Sequence, residues 1–187
     1  MSPRQEVDNL VLIGGFRSDR LVSGAGDDIL FGGFGKDKLF GNDGDDALYG
    51  GFSKDTLVGG AGGDKLRGGF GRDKFVYENL SDSLLDNYDE IIDLRIGSDK
   101  IDGVNAVSKN DLAQLGVVAG LTEADIQAVL TATDFVADGA ATFTLGSGSS
   151  ERTFLAMNDD VAGFSAATDS IVEISHFRGH LSNLAIV

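Results

Sequence analysis

The chain has 187 residues, of which 42% are hydrophobic, so it is long enough for one large or two small domains with a buried core. It contains 27 glycines, one proline and no cysteine, which excludes disulfides and thiolate chemistry. The net charge of −15 disfavours binding to nucleic acid or to anionic membranes and leaves cations as natural partners.

The N-terminal residues 1–13 are predicted to form a cap strand. Their short apolar run lacks the basic region and the longer hydrophobic stretch of a secretory signal, so no cleavable signal is expected. No segment of the chain approaches the apolar length of a membrane span, and membrane insertion is not expected.

Seven consecutive nonapeptides occupy residues 14–76, and a worn eighth copy, YENLSDSLL, follows them. The sixth position of each copy is aspartate: Asp19, Asp28, Asp37, Asp46, Asp55, Asp64, Asp73 and Asp82. The eighth position is large and apolar: Leu21, Leu30, Leu39, Leu48, Leu57, Leu66, Phe75 and Leu84. Each copy is predicted to be a glycine-rich turn followed by a strand of about three residues, with the eighth side chain pointing inward.

Alternate copies differ, so the true repeat is 18 residues: one coil with two turns and two strands. The third position of the odd copies carries Phe16, Phe34, Phe52 and Phe70, and the fifth carries Ser18, Lys36, Lys54 and Arg72. The even copies carry Ala25, Asp43 and Ala61 at the third position and Asp27, Asp45 and Gly63 at the fifth. Because one unit cannot bury its leucine alone, the coils are expected to stack into a solenoid.

Stacking at about 4.8 Å per coil predicts two columns of aspartates. The odd column is Asp19, Asp37, Asp55 and Asp73, and the even column is Asp28, Asp46, Asp64 and Asp82. Two carboxylates at that spacing repel by roughly 3 kcal/mol at an effective dielectric of about 20, so a divalent cation between successive aspartates is expected. Oxygen ligands without His or Cys favour calcium, and the 18-residue brackets predict about six ions.

Glycines are predicted to let turn carbonyls face these ions in conformations that a Cβ would obstruct, which offsets their entropic cost. The glycines assigned to this role are Gly33, Gly35, Gly51, Gly60, Gly62, Gly69 and Gly71. The alternative is a merely acidic, solvated face.

The pattern G-G-x-G-x-D-x-U-x over residues 14–85 resembles the RTX, or hemolysin-type, calcium-binding repeat. That resemblance implies an all-β fold with a right-handed parallel β-roll, calcium-dependent folding and export by a type I ABC exporter. The sequence departs from the pattern at Arg17, Ser23, Asn42 and Ser53, and Arg17 puts the first turn in doubt as a full site.

Residues 75–102 resemble the capping segment that follows RTX repeats in serralysin-type proteases and related exoproteins, through the run from Asp89 to Asp102. By that resemblance, Asp82 and Asp89 supply the last calcium site. The residues alone predict a strand, a turn at Gly97 and a second strand, with Asp93 and Asp99 as turn residues.

Residues 86–187 are expected to form a small, mixed but mainly β capping domain with one or two short helices. The segment LTEADIQAVLTA predicts a helix capped by Thr122 and Asp125 that packs Ile126, Val129 and Leu130 on the core. ATFTLG and RTFLAMN predict a hairpin, and DSIVEISHF and NLAIV predict two further strands.

Residues 152–187 resemble the "bluetail" domain of cyanobacterial surface proteins, for which no biochemical activity is implied. The apolar end, Leu184 to Val187, also resembles the uncleaved signal of type I exporter substrates. The alternative is a terminal edge strand. These resemblances imply an extracellular or cell-surface location without an N-terminal signal peptide.

No catalytic motif, such as a zinc-protease helix, a nucleophile elbow or a phosphate-binding loop, occurs in the sequence, and no enzymatic activity is expected. His176 and His180 are four residues apart, but a surface strand and turn is favoured over a metal site. Asp159 and Asp160 are interpreted as an Asx-type turn rather than as calcium ligands.

The aromatic ridge, defined as Phe16, Phe34, Phe52 and Phe70, is predicted to stack in one exposed column beside Lys36, Lys54 and Arg72. Such an apolar surface is expected to be covered by the C-terminal domain or by a second chain. Ile29, Phe31, Ala47 and Tyr49 form a rival outward face.

These features predict a secreted, calcium-binding structural or surface protein whose roll folds outside the cell. Two alternatives stay open. The chain could be the calcium-binding and secretion module of a larger exoenzyme, such as a protease, lipase or epimerase. It could also be an adhesin or matrix-binding module that uses the aromatic ridge.

Overall fold

A computed structural model describes residues 8–107, 112–131, 135, 136 and 138–187, and its first ten strands form a parallel β-roll. The strands are β1 (Val11–Gly15), β2 (Arg20–Val22), β3 (Ile29–Phe34), β4 (Lys38–Asp43), β5 (Ala47–Phe52), β6 (Thr56–Ala61), β7 (Lys65–Phe70), β8 (Lys74–Val76), β9 (Asp89–Ile91) and β10 (Lys100–Asp102). Odd-numbered strands form one wall of the roll and even-numbered strands form the other. The predicted all-β fold with a parallel roll is confirmed.

The predicted coil length of 18 residues is visible in the strand register. Ile29 pairs with Ala47, and Ala47 pairs with Lys65. The last coil is longer, since Lys65 pairs with Glu90 and Lys74 with Lys100, at separations of 25 and 26 residues. The extra residues lie in the two segments that precede β9 and β10.

The roll is filled by the eighth side chains of the second to seventh copies. Leu30, Leu39, Leu48, Leu57, Leu66 and Phe75 are all fully buried. Burial of each such side chain contributes roughly 2 kcal/mol. The strands β3 to β7 are six residues long rather than the predicted three, because the first residues of the following copy, which are two glycines or the pair Gly41 and Asn42, continue the hydrogen-bonded ladder.

The C-terminal part continues one wall of the roll without a break. It consists of β11 (Ala113–Val118), α1 (Glu123–Gln127), β12 (Ala140–Leu145), β13 (Arg152–Met157) and β14 (Ser170–Glu173). β14 pairs in parallel with β9, so a nine-stranded sheet runs from β1 to β11. The proposed domain boundary between residues 85 and 86 stays a prediction.

The predicted helix and hairpin are confirmed. Thr122 and Asp125 form a reciprocal capping box at the start of α1, and Ile126 and Leu130 are buried. β12 and β13 pair antiparallel. β11 was not predicted.

Two predicted strands differ in the structure. NLAIV forms no regular strand; it follows a 3-10 helix at Leu181–Asn183 and contributes only isolated bridges through Ile186. The worn copy forms a 3-10 helix at Leu80–Asp82, since it lacks the glycines that extend the other ladders. The N-terminal prediction for residues 1–7 lies outside the described residues. Within the described ranges, no helix has both the length and the hydrophobicity to cross a membrane.

Candidate metal centre

Two columns of aspartates run along the roll, linked by a repeated hydrogen bond. The backbone N–H of each column residue donates to Oδ1 of the aspartate one coil further on, over 2.6–3.1 Å. The odd column is Asp19, Asp37, Asp55, Asp73 and Asp99. The even column begins with the backbone of Leu10 and continues through Asp28, Asp46, Asp64 and Asp89.

The prediction that Asp82 follows Asp64 in the even column is wrong, and Asp89 takes that place. Both Asp82 carboxylate oxygens bond to Asn79, at 2.9 Å to its backbone N–H and 3.2 Å to its amide, in the 3-10 helix. Asp89 opens β9, which pairs with β7, so the loop that contains Asp82 is bypassed.

Asp99, interpreted from the sequence as a turn residue, closes the odd column. It precedes β10 as Asp73 precedes β8, and it accepts the Asp73 N–H at 3.1 Å. The sequence does contain a signal for this position, which the sequence analysis did not use. In Asp99, in Asp89 and in the repeats, an aspartate is followed two residues later by an apolar residue. Asp93 accepts hydrogen bonds at 2.9 Å from Gly68 and Gly69 and so also contacts the preceding coil.

The second carboxylate oxygen of most column residues has no hydrogen-bond partner within the described residues. These buried Oδ2 atoms belong to Asp19, Asp37, Asp46, Asp55, Asp64 and Asp89. Asp28 Oδ2 accepts one long bond of 3.4 Å from Gly24, and Asp73 Oδ2 is paired with Arg95. A buried oxygen without a donor costs about 1–3 kcal/mol, and more when it is charged, so the columns are incomplete as a set of protein groups alone.

Backbone carbonyls converge on the same oxygens. A Cβ built on Gly32 would lie 2.6 Å from both Asp37 Oδ2 and the Gly50 carbonyl oxygen. A Cβ on Gly50 would likewise lie 2.7 Å from Asp55 Oδ2 and 2.8 Å from the Gly68 carbonyl oxygen. The glycine at the first position, which every copy but the second has and which the sequence reasoning did not assign, therefore leaves room beside the carboxylate of its own copy.

The glycines assigned from the sequence lie where neighbouring backbones approach closely. All seven have positive φ. At Gly35, a Cβ would lie 2.4 Å from the Arg17 carbonyl oxygen of the preceding coil. Asn42 and Ser53 stand at two such positions with φ of 77° and 87°, conformations that are uncommon for residues with a side chain. A direct role of these glycine carbonyls toward an ion stays a prediction.

Burial makes several column carboxyls resist ionisation by raising their pKa. It raises the pKa of Asp46, Asp55 and Asp64 to about 7 and that of Asp89 well above its usual value, and the neighbouring aspartates raise them further. The backbone hydrogen bonds to Oδ1 oppose this shift without overcoming it. A cation between the carboxylates would reverse the balance.

The donor set fits a hard cation. Each step of a column offers carboxylate oxygens from two coils and nearby turn carbonyls, and calcium takes six to eight such oxygens. Among the described residues, no group of three or more His, Cys, Asp or Glu side chains is arranged to hold a metal. A site in these columns therefore depends on two carboxylates completed by backbone oxygens.

Two other candidates do not join the columns. His176 and His180 are exposed, and His176 has a φ of 62°, which agrees with a surface turn. Asp159 accepts the Val161 N–H at 2.7 Å, which confirms the Asx-type turn.

The aromatic ridge stacks as predicted. Successive ring centroids lie 5.3, 4.6 and 5.2 Å apart. The four side chains are 45–86% exposed, so the C-terminal residues that the structure describes do not cover them. On the rival face, Phe31 and Tyr49 also stack, with centroids 4.9 Å apart.

Comparison with known proteins places this architecture among RTX-type modules. The family model described as the peptidase M10 serralysin C terminal matches residues 8–172. The solution structure of the AlgE6R3 subunit from the Azotobacter vinelandii mannuronan C5-epimerase is similar over 91% of this chain and 76% of its own, with 23% identity and a TM-score of 0.35. A similarity of that size identifies no function. The comparison with curated proteins found no match.

Proposed function

The chain belongs to the peptidase M10 serralysin C-terminal family, and from that premise we propose that it is a non-catalytic calcium-binding module whose β-roll folds when calcium binds. The observation that supports this proposal is the row of buried Oδ2 atoms without partners. Calcium would supply the positive charge and the coordination that these oxygens lack.

Six pairs of column residues are proposed to hold ions. The odd pairs are Asp19 with Asp37, Asp37 with Asp55, and Asp55 with Asp73. The even pairs are Asp28 with Asp46, Asp46 with Asp64, and Asp64 with Asp89. The pair that includes Asp19 lacks a regular first turn, because Arg17 replaces the glycine there.

If the sites bind calcium weakly, folding of the roll would be controlled by the calcium concentration. Extracellular calcium modules bind with dissociation constants of about 10⁻⁴ to 10⁻³ M, so such sites stay empty in the cytosol. At about ten times the dissociation constant, each site adds roughly 1.4 kcal/mol, and six sites together add roughly 8 kcal/mol. The same residues would thus keep the chain loose inside the cell and rigid outside it.

Calcium titration of chelator-treated protein, followed by far-ultraviolet circular dichroism, tests this function. The strand signal is expected to increase cooperatively with calcium as the roll folds and not to increase with magnesium at the same concentration, since magnesium demands a tighter octahedral shell. A chelated sample that keeps its full strand signal would falsify the proposal.

Secretion through a type I exporter is proposed from the RTX resemblance and from the place of the C-terminal residues. Leu184 and Ile186 are buried, and Ile186 bridges to Ile101 and Val107. A signal in Leu184–Val187 would therefore be accessible only before folding. Deletion of these four residues is expected to abolish export in a cell that carries such an exporter; unchanged export would exclude this assignment.

A second candidate role, self-association through the aromatic ridge, is favoured by charge. Lys36, Lys54 and Arg72 are exposed beside the ridge at intervals of one coil, whereas the even turns expose Asp27 in one coil and both Asp43 and Asp45 in the next. Two copies could align these rows. A surface-protein role, as the bluetail resemblance implies, would use the same contact.

Sedimentation velocity at saturating calcium tests self-association. The wild type is expected to dimerise with rising concentration and less at high salt, whereas the double variant Phe34→Ser, Phe52→Ser stays monomeric. Phe31→Ser, on the rival face, is the matched control. A monomeric wild type that is retained on polysaccharide would favour an adhesin instead, and an upstream reading frame continuous with Met1 would favour the tail of a larger exoenzyme.

A further inference from the structure

The last step of the odd column differs from all the others. Asp73 Oδ2 is not left without a partner, unlike Oδ2 of Asp37 and Asp55 in the same column. Its partner is the guanidinium of Arg95, whose side chain is 26% exposed. Within the described residues, no other step of either column contains a cationic side chain.

Arg95 bridges the oxygens of two coils. Its Nη2 donates to the Gly71 carbonyl oxygen at 2.7 Å, to Asp73 Oδ2 at 3.3 Å and to Asp99 Oδ1 at 3.2 Å. Its Nε donates to Asp99 Oδ2 at 3.4 Å. The guanidinium thus contacts a turn carbonyl, the carboxylate of that coil and the carboxylate of the next coil.

The same kinds of oxygen recur one coil earlier. There the turn carbonyl of Ser53 faces the next coil, so closely that it excludes any Cβ at Gly71, and Asp55 Oδ2 has no partner. At the equivalent end of the even column, Asp64 Oδ2 has no hydrogen-bond partner within the described residues, and the Asp89 carboxyl faces the neutral Tyr77 hydroxyl, which brings no positive charge. Within the same residues, only the step that contains Arg95 includes a cationic side chain.

The backbone around Arg95 is held in place by hydrogen bonds of its own. The Arg95 N–H donates to Asp99 Oδ2 at 2.9 Å and closes the turn between β9 and β10. The next residue, Ile96, donates to the Arg178 carbonyl oxygen at 2.8 Å, and the Arg178 N–H donates to the Leu94 carbonyl oxygen at 2.8 Å. The segment is therefore held against the C-terminal part of the fold.

We propose that Arg95 is a built-in cation that takes the place of the final ion in the odd column, between Asp73 and Asp99. This inference rests on the proposed calcium function of the other column pairs. It follows that the odd column binds one ion fewer than its number of linked aspartate pairs. It also follows that the last coil of this wall is closed before any calcium binds.

The variant Arg95→Gln tests the inference, since glutamine removes the charge and leaves both carboxylates in place. Calcium bound per chain is measured by equilibrium dialysis and by isothermal titration calorimetry on the full chain. The variant is expected to bind one calcium ion more than the wild type and to need a higher calcium concentration for half-maximal folding.

Two further variants separate charge from position. Arg67→Gln removes a cation from the same region, where Arg67 forms an exposed pair with Asp93 at 3.6 Å, and is expected to leave the ion count unchanged. Arg95→Lys keeps the positive charge and is expected to keep the wild-type count.

Each outcome decides the question. An Arg95→Gln variant that folds with the wild-type ion count overturns the inference, as does one that fails to fold at saturating calcium, because an ion is expected to replace the guanidinium. An extra ion in Arg95→Lys would also overturn it. If the wild type itself binds no calcium, the proposed function fails, which is a result distinct from these.

Discussion

The β-roll and the C-terminal strands share one sheet but differ in whether their buried carboxylates have partners. In the roll, six buried carboxylate oxygens have no partner within the described residues. In the C-terminal part, the carboxylate of Glu173 is paired with Arg152, whose guanidinium also lies 5.0 Å from the ring centre of Phe154. Burial raises the pKa of Glu173, but the hydrogen bonds from Arg152 and Ser175 outweigh it and leave the pKa below its usual value.

The hydrophobic support differs as well. The roll interior is filled by one aliphatic-rich row from each wall, and these rows end in Ile91 and Ile101, whereas the C-terminal part stacks Phe143 on Phe154 at 5.3 Å, with both rings buried. The comparison teaches that one continuous sheet can contain a region whose buried carboxylates lack a cationic partner and a region that supplies an arginine to its buried glutamate. The four predictions below test that division.

The largest effect is expected from calcium removal. Chelation should remove roughly 8 kcal/mol from the roll, the sum for six sites at about ten times their dissociation constants. Hydrogen exchange followed region by region is expected to show loss of protection in β3 to β7 and retained protection in β12 and β13. Equal loss in both regions would show that the sheet acts as one unit.

The pH should act on the metal-free roll in the direction set by its raised carboxyl pKa values. Asp46, Asp55 and Asp64 have folded pKa values of about 7 against 3.8 in the unfolded chain, so their contribution is fully present below about pH 4 and is lost as the pH rises through 7. Since one pKa unit corresponds to about 1.4 kcal/mol, an effect of several kcal/mol is expected.

Circular dichroism of the chelated protein between pH 4 and pH 8 measures this dependence. Strand signal should be highest at the acidic end, and saturating calcium should abolish the trend over the neutral range. A metal-free roll that is more stable at pH 8 than at pH 5 would contradict the assignment of these buried carboxyls.

A core truncation in the C-terminal part should destabilise without changing calcium dependence. Phe154→Ala is expected to lower the free energy of unfolding by about 3–5 kcal/mol, because it leaves a cavity against Phe143. The matched change in the roll, Leu48→Ala, should raise the calcium concentration needed for folding. Urea unfolding at several calcium concentrations distinguishes the two.

The smallest effect is expected from a single column residue. Asp55→Asn should weaken the two sites on either side of Asp55 and cost roughly 3 kcal/mol at saturating calcium. Calorimetry should record fewer ions per chain. Asp86→Asn, which removes the same charge at an exposed position, is the control and should match the wild type.

The sequence predicts the regular part of the fold because its period is strict. Leu30 to Phe75 recur every nine residues, and both the strand register and the inward side chains follow from that spacing. The prediction fails where the period is broken. An insertion of seven residues before β9 and of one more residue before β10 shifts the column places from the worn copy to Asp89 and Asp99.

The remaining features depend on contacts between residues that are distant in sequence. No local pattern joins Val172 to Asp89, so the continuation of the roll wall through β14 could not be predicted. In the sequence, Arg95 has the features of an ordinary turn residue, and its contacts with Asp73 and Asp99 are visible only in the folded structure. The sequence predicts that Ile186 lies in a strand, but among the described residues it forms isolated β-bridges instead.

The contrast between odd and even turns gives the roll a transverse dipole. One long edge carries Lys36, Lys54 and Arg72, and the other carries Asp27, Asp43 and Asp45. At physiological salt, the field of this dipole is screened over about 8 Å, so the dipole orients a neighbouring molecule only when the two are almost in contact. There it determines which edge of the roll faces a charged neighbour.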